Sequence, residues 1–199
     1  MKKVVLLDAD GVVFKKSPEY FSERFCREYG APREEVETFF KNEFKLCTRG
    51  KADLKEELAK RLPAWGWPKS VEEYLEWWFS NDTELDEEVL AVTKELQKQG
   101  TECYLASDQE VYRSEYIVQK LLGRLNGAWF ACDLGYTKSQ PEFFKEIIKR
   151  WERRYTPQEM WFWDDMQHNV DSARSVGINA FLFTSVEDLK QVLQLGRGF

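Results

Sequence analysis

The chain has 199 residues, 43% of them hydrophobic and 32% charged, and a formal net charge of −6. That length supports one full core, or a core domain carrying a small insertion, and the composition is that of an ordinary globular protein without low-complexity tracts. The acidic balance argues against a nucleic-acid backbone or an anionic membrane surface as the main partner, while leaving room for a local basic pocket.

The first predicted element is a strand over 3–7 (KVVLL) that runs directly into Asp8-Ala9-Asp10-Gly11. Its four apolar residues are too few for a signal peptide, and no stretch approaches transmembrane length. From 15 to 84 no strand is evident. Ser17-Pro18 opens a predicted helix that carries Phe21, Phe25 and Tyr29 and stops at Gly30. Val36, Phe39, Phe40 and Phe44 mark a second helix, and Leu54, Leu58 and Leu62 a third. Ser70 with Glu73 caps a fourth, carrying Val71, Tyr74, Leu75, Trp78 and Phe79. We read 15–84 as an all-helical cap. Its aromatics (Trp65, Trp67, Trp77 and Trp78 with Phe39, Phe40 and Phe44) are read as core first, with a subset facing a cleft.

Beyond 84, strands and helices alternate. Val89, Val92 and Leu96 form a helix face that Gly100 ends. Strands are predicted at 102–107 (ECYLAS), 128–133 (AWFACD), 160–164 (MWFWD) and 179–184 (NAFLFT). The stripe Phe143, Phe144, Ile147, Ile148 and Trp151 marks one later helix, and Val186, Leu189 and Leu193 another. Thr156 with Glu159 behind Pro157, and Ser185 with Asp188, resemble capping boxes. Apolar strands alternating with helices predict a parallel sheet covered on both faces. The expected architecture is α/β: a Rossmann-like three-layer core over 1–14 and 85–199, with the helical cap at 15–84.

In open parallel sheets, ligands bind beyond the carboxyl ends of the strands. Three predicted strands end there in polar residues: Asp8 and Asp10, Ser107-Asp108, and Asp164-Asp165, while Lys138 sits in the loop before the PEFF helix. Like charges about 4 Å apart repel by roughly 4 kcal/mol at an effective dielectric near 20. A hard divalent cation relieves this, and Mg²⁺ suits a site with few protein ligands and positions open for phosphate. Taken singly, each feature has a plainer reading. The Asp pairs could cap turns or helices, Ser107 could be a helix N-cap, and Lys138 could be a solvated loop residue. His168, the one histidine, cannot by itself build a zinc site or a Ser-His-Asp triad, and is read as a polar residue of a helix's first turn. Asn169 is read as a loop brace. Cys26, Cys47, Cys103 and Cys132 form no CxxC pair and are read as reduced thiols, which points to the cytoplasm.

Together, DADGV, YLASD, LGYTKSQPEFF and WFWDDMQHNVDSARSVGI resemble, in order, the four motifs of the haloacid dehalogenase-like hydrolases, over nearly the whole chain. The resemblance implies that Asp8 is a nucleophile forming an aspartyl-phosphate. It makes Asp10 the general acid and then base, with a pocket that raises its pKa. Ser107 and Lys138, with Asp108 beside them, would bind the phosphoryl group. Mg²⁺ would be held by Asp8, the Asp10 backbone carbonyl and the Asp164-Asp165 pair. Dehalogenases of this fold lack an acid at the position of Asp10, so phosphoryl transfer is implied. Asp108 and Ser139 depart from the family's usual Asn and Pro, and the stretch 130–137 matches only approximately. The implied activity is that of a Mg²⁺-dependent phosphatase acting on a small phosphorylated metabolite, under a cap that closes over the cleft. A phosphomutase and a catalytically weak binding protein are the alternatives, and the oligomeric state is not legible.

Overall fold

The computed structural model describes residues 3–151 and 154–193; positions 1–2, 152–153 and 194–199 of the predicted core lie outside them. Strand β1 (Val4–Leu7) is buried along its whole length. The chain then passes through a tight turn into helices α1 (Phe21–Tyr29), α2 (Arg33–Lys41), α3 (Glu43–Thr48), α4 (Leu54–Ala59) and α5 (Val71–Asn81). It returns through α6 (Glu87–Lys98), β2 (Glu102–Ser107), α7 (Val111–Lys120), β3 (Gly127–Phe130), α8 (Ala131–Leu134) and α9 (Pro141–Arg150). Strand β4 (Met160–Asp164), α10 (Gln167–Ser175), β5 (Asn179–Leu182) and α11 (Val186–Leu193) complete it.

The five strands form one parallel sheet in the order β3-β2-β1-β4-β5. Side chains alternate across it with period two, and both faces are covered. Val5 and Leu7 point into a cluster with Val89, Leu96, Ile117 and Leu189, so α6, α7 and α11 lie on that side. Val4 and Leu6 join Phe143, Phe144, Ile147, Val170 and Ala173 on the other, beneath α9 and α10. Leu7 is level with Leu105 and with Trp163, so β1, β2 and β4 finish within two residues of one another. Strand order reverses across β1, and the crevice at such a reversal is where this class of sheet receives ligands.

Residues 15–84 contain helices and turns but no strand. Their side chains form a third cluster around Phe25, Phe39, Leu54, Leu58, Trp65 and Tyr74. Two stretches join this unit to the sheet. Phe14 bridges antiparallel to Leu85, the Lys15 N–H donates to the Glu84 carbonyl at 2.8 Å, and the Asp86 N–H donates to the Val13 carbonyl at 2.8 Å. Among the described residues, no helix is long and apolar enough to cross a membrane.

Several boundaries differ from the sequence expectation, each for a local reason. The first helix of 15–84 begins at Phe21, not at Ser17-Pro18, because the Ser17 hydroxyl donates to the Glu19 carbonyl at 2.7 Å and closes a separate turn. The second is broken at Asn42, whose backbone (φ −116°, ψ −80°) leaves the helical region between α2 and α3. In AWFACD only the front half is strand; Ala131 starts the single turn of α8, which Gly135 ends with φ 80°. The Thr156–Glu159 box forms, but it encloses a three-residue 3₁₀ turn feeding β4 and not a helix. The Ser70–Glu73 box caps α5 as expected.

Candidate active site

Asp8 leaves β1 with its N–H still donating to the Trp163 carbonyl at 2.9 Å, which sets it beside Asp164. Its Oδ1 accepts three bonds: from the Ala9 N–H (2.7 Å), the Ser107 hydroxyl (2.9 Å) and the Lys138 Nζ (2.5 Å). Among the described residues none donates to Oδ2, so that oxygen is free to take a ligand or attack one. Burial pushes the Asp8 carboxyl up to about 8; Lys138 acts to lower it, while Asp164 and Asp10 add to the rise.

Lys138 is only 2% exposed, and its Nζ also donates to Asp164 Oδ2 at 2.7 Å. Burial alone would lower its pKa, yet Asp8, Asp164 and Asp108 hold it above the ordinary lysine range. It is therefore a buried cation shared by two carboxylates, and not a solvated loop residue. The Lys138 N–H donates to Asp108 Oδ1 at 2.8 Å. The Asp108 carboxylate, expected to lie beside the phosphate, accepts this bond and lines the cavity. The Thr137 and Ser139 hydroxyls lie 3.0 Å apart and, with Gln140, tie down the loop where the expected proline is missing.

Asp164 is fully enclosed. It accepts from the Met166 N–H (2.8 Å), from Lys138, and on both oxygens from the Asn169 amide (3.1 Å each). Asn169 thus braces the carboxylate. Asp165 faces the cleft and accepts from Lys16 Nζ at 2.9 Å. Gly11 makes room for it. Its φ is +78°, and a Cβ there would sit 2.7 Å from Asp165 Oδ2. Asp8, Asp164 and Asp165 each offer an oxygen within 4.8 Å of the others. Three hard oxygen donors at this spacing, with space beyond them, fit a small divalent cation that keeps positions for water and phosphate. Since Lys138, Asn169 and Met166 already engage Asp164, Asp165 is the more available partner of the pair.

Asp10 departs from the sequence reading. Arg113 from α7 grips it with two parallel bonds, 2.8 Å to Oδ2 and 2.7 Å to Oδ1, and Gln109 Nε2 adds a third at 2.8 Å. Burial works to raise the Asp10 pKa, but the Arg113 charge and these bonds hold it below the usual carboxylate range. The expected upward shift is not present. Neither Arg113 nor Gln109 stands out in the sequence. The only signal is a basic residue six positions after Ser107, on the helix that starts above the strand ends. Ser107 is not that helix's N-cap; Glu110 is, accepting from the Tyr112 and Arg113 N–H groups. His168 is exposed at the rim, in the first turn of α10.

These groups floor a cavity of about 650 Å³ between the strand ends and the helical unit, which contributes Phe21, Phe40, Phe44 and Trp78 to the opposite wall. A family model described as haloacid dehalogenase-like hydrolase matches residues 2–177. Among solved structures, the HAD family enzyme BT-2542 from Bacteroides thetaiotaomicron superposes with a TM-score of 0.81 at 19% identity, covering 96% of this chain and 98% of that one. The same enzyme in complex with magnesium and inorganic phosphate gives 0.78 at 19%, covering 96% and 99%. The HAD phosphatase from Thermococcus onnurineus gives 0.65 at 18%, covering 96% and 97%. At these identities the likeness is one of fold. No curated protein sequence matches the chain.

Proposed function

The chain belongs to the haloacid dehalogenase-like hydrolase family, and from that premise we propose that it is a magnesium-dependent phosphatase, hydrolysing a small phosphomonoester through phosphorylated Asp8. The observation that carries this reading is the meeting of Asp8, Asp164 and Asp165 around the buried Lys138, at the floor of the cavity. BT-2542 crystallised with magnesium and inorganic phosphate supports the choice of ion and ligand.

Asp8, which the Lys138 charge and a bound magnesium would keep as the carboxylate, attacks phosphorus through Oδ2; the new O–P bond forms as the ester oxygen departs with a proton from Asp10. Water then attacks the phosphorylated Asp8, giving its proton to Asp10, and inorganic phosphate leaves as the Asp8 O–P bond breaks. Ser107 and Lys138 hold the phosphoryl oxygens, with the Lys138 charge opposing that on the carboxylate. Asp8, Asp165 and Asp164, with the Asp10 carbonyl, would hold magnesium, which when bound offsets phosphate charge as a Lewis acid. Gripped by Arg113, Asp10 is ionised and suited to the base half of the cycle. For the acid half it must leave the guanidinium and take up a proton. The free thiols of Cys26, Cys47, Cys103 and Cys132 support a cytoplasmic location.

The test is phosphate release from a panel of phosphomonoesters with magnesium and with a chelator. Turnover that needs magnesium, and that Asp8→Asn abolishes while circular dichroism is unchanged, is the expected result. Absence of turnover across the panel overturns the proposal. Phosphate passed to a second hydroxyl of the substrate, without release, makes the protein a mutase.

A further inference from the structure

The wall opposite the catalytic floor is built of rings. Trp78 lies flat against Phe21, centroids 4.3 Å apart at 13°, meets Phe40 edge-on (5.6 Å, 89°) and is tilted to Phe44 (5.6 Å, 48°). Phe21 and Trp78 are almost buried within the helical unit, so this wall is rigid, while Phe40 and Phe44 are half-buried and line the cavity.

Several of the floor's donors, by contrast, rest on carboxylates, while Tyr20, Ser22, Asp82 and His168 also line the cavity. Before substrate binds, Arg113 and Gln109 are held on Asp10, Lys16 on Asp165 and Lys138 on Asp8 and Asp164, and the cycle proposed above releases Arg113 only when Asp10 takes up its proton. Lys15 pairs with Glu84. The Ser17 hydroxyl is turned onto the Glu19 carbonyl. At the rings themselves a hydroxyl-rich leaving group sheds water against faces that return no hydrogen bonds, a mismatch that an apolar wall penalises by no more than roughly 10²-fold. An apolar or aromatic group loses nothing there and gains burial.

Resting on the phosphatase reading above, we propose that the substrate is the phosphomonoester of an apolar or aromatic alcohol, seated between the phosphate site and the Phe40–Phe44–Trp78 wall, and not a sugar or polyol phosphate. The cavity of about 650 Å³ accommodates a ring-bearing alcohol together with its phosphate.

The experiment compares, with magnesium present, 2-phenylethyl phosphate, glycerol 3-phosphate, glucose 6-phosphate and acetyl phosphate. The first three release alcohols of similar reactivity, and acetyl phosphate carries almost no organic bulk. The expected kcat/KM for 2-phenylethyl phosphate exceeds that for both polyol esters by at least about tenfold, mainly through a lower KM, because apolar contact holds ground state and transition state alike. Phe44→Ala should reduce the phenylethyl-to-glycerol ratio several-fold. That ratio is taken within one preparation, so a loss of folded protein cancels out. Should Phe44→Ala not fold, the wild-type ratio alone decides. Turnover of acetyl phosphate with equal or better use of the polyol esters overturns this inference and leaves the phosphatase reading standing. No magnesium-dependent turnover of acetyl phosphate or of any ester overturns the phosphatase reading itself, and this inference with it.

Discussion

At Arg113 a planar fork meets a carboxylate with two parallel bonds, an arrangement stronger than a neutral hydrogen bond because both partners are charged. It fixes the orientation of Asp10, whose side chain is otherwise about half open to the cleft (46% exposed). Asp10→Ala should lower turnover of alkyl phosphates by about 10²- to 10⁴-fold but affect acetyl phosphate far less, since that leaving group needs little protonation. Equal losses on both would remove Asp10 as the acid. Lys138→Met makes the opposite kind of fault. It leaves Asp8 and Asp164 buried side by side without their shared cation, a class of change that costs about 3–5 kcal/mol. Chemical denaturation should find the variant destabilised, and added magnesium should recover more stability than it does in the parent; an equal magnesium effect in both would count against a metal at these carboxylates. At this scale the sequence is informative where a polar residue comes directly after an apolar strand. Asp8, Ser107, Asp164 and Asp165 therefore come together at one edge as read. Arg113 is not legible, because its reach to Asp10 depends on how α7 seats over the strand ends, which no local pattern encodes.

Helix α7 carries a second consequence at its first turn. Glu110 is 1% exposed, and burial pushes its carboxyl up to about 7 even though the Tyr112 and Arg113 N–H groups and the Arg113 charge act to lower it; Asp53 adds to the rise. Cys47 and Cys132 also lie within its electrostatic reach. A carboxyl whose folded pKa stands above its ordinary 4.5 favours folding fully below that value. The contribution is lost as pH rises through about 7. Glu110→Gln keeps an oxygen for the cap and removes the titration. Urea denaturation should give it a flatter stability profile than the parent between pH 4.5 and 7; a profile parallel to the parent's would exclude Glu110 as the source. Element boundaries are where sequence reading errs, and the errors share a cause. Thr156-Pro157-Glu159 and Ser17-Pro18 carry real start signals, but whether a started turn grows into a helix depends on tertiary contacts. Met160 is taken into the sheet beside Val4 instead of extending a helix.

Across the whole molecule, two clusters sandwich the sheet and a third belongs to the helical unit, with Tyr112 and Tyr116 of α7 packed against its edge. The parallel sheet and the helical interruption are both legible, because apolar runs of strand length give way between 15 and 84 to helical spacing. The order of strands is not, since pairing partners are chosen by packing across the sheet. Separate clusters predict separate opening. Leu58 is fully buried in the third cluster, and Leu58→Ala should cost about 2–5 kcal/mol. Hydrogen exchange should find lost protection in α1 to α5 with β1, β2 and β4 unchanged; uniform loss across both would make the molecule a single cooperative unit.

The pairing of 13–15 with 84–86 brings the departing and returning chain within one hydrogen bond of each other. The whole excursion is thereby hung from a single clasp, and loosening that clasp would free all five helices from the sheet at once.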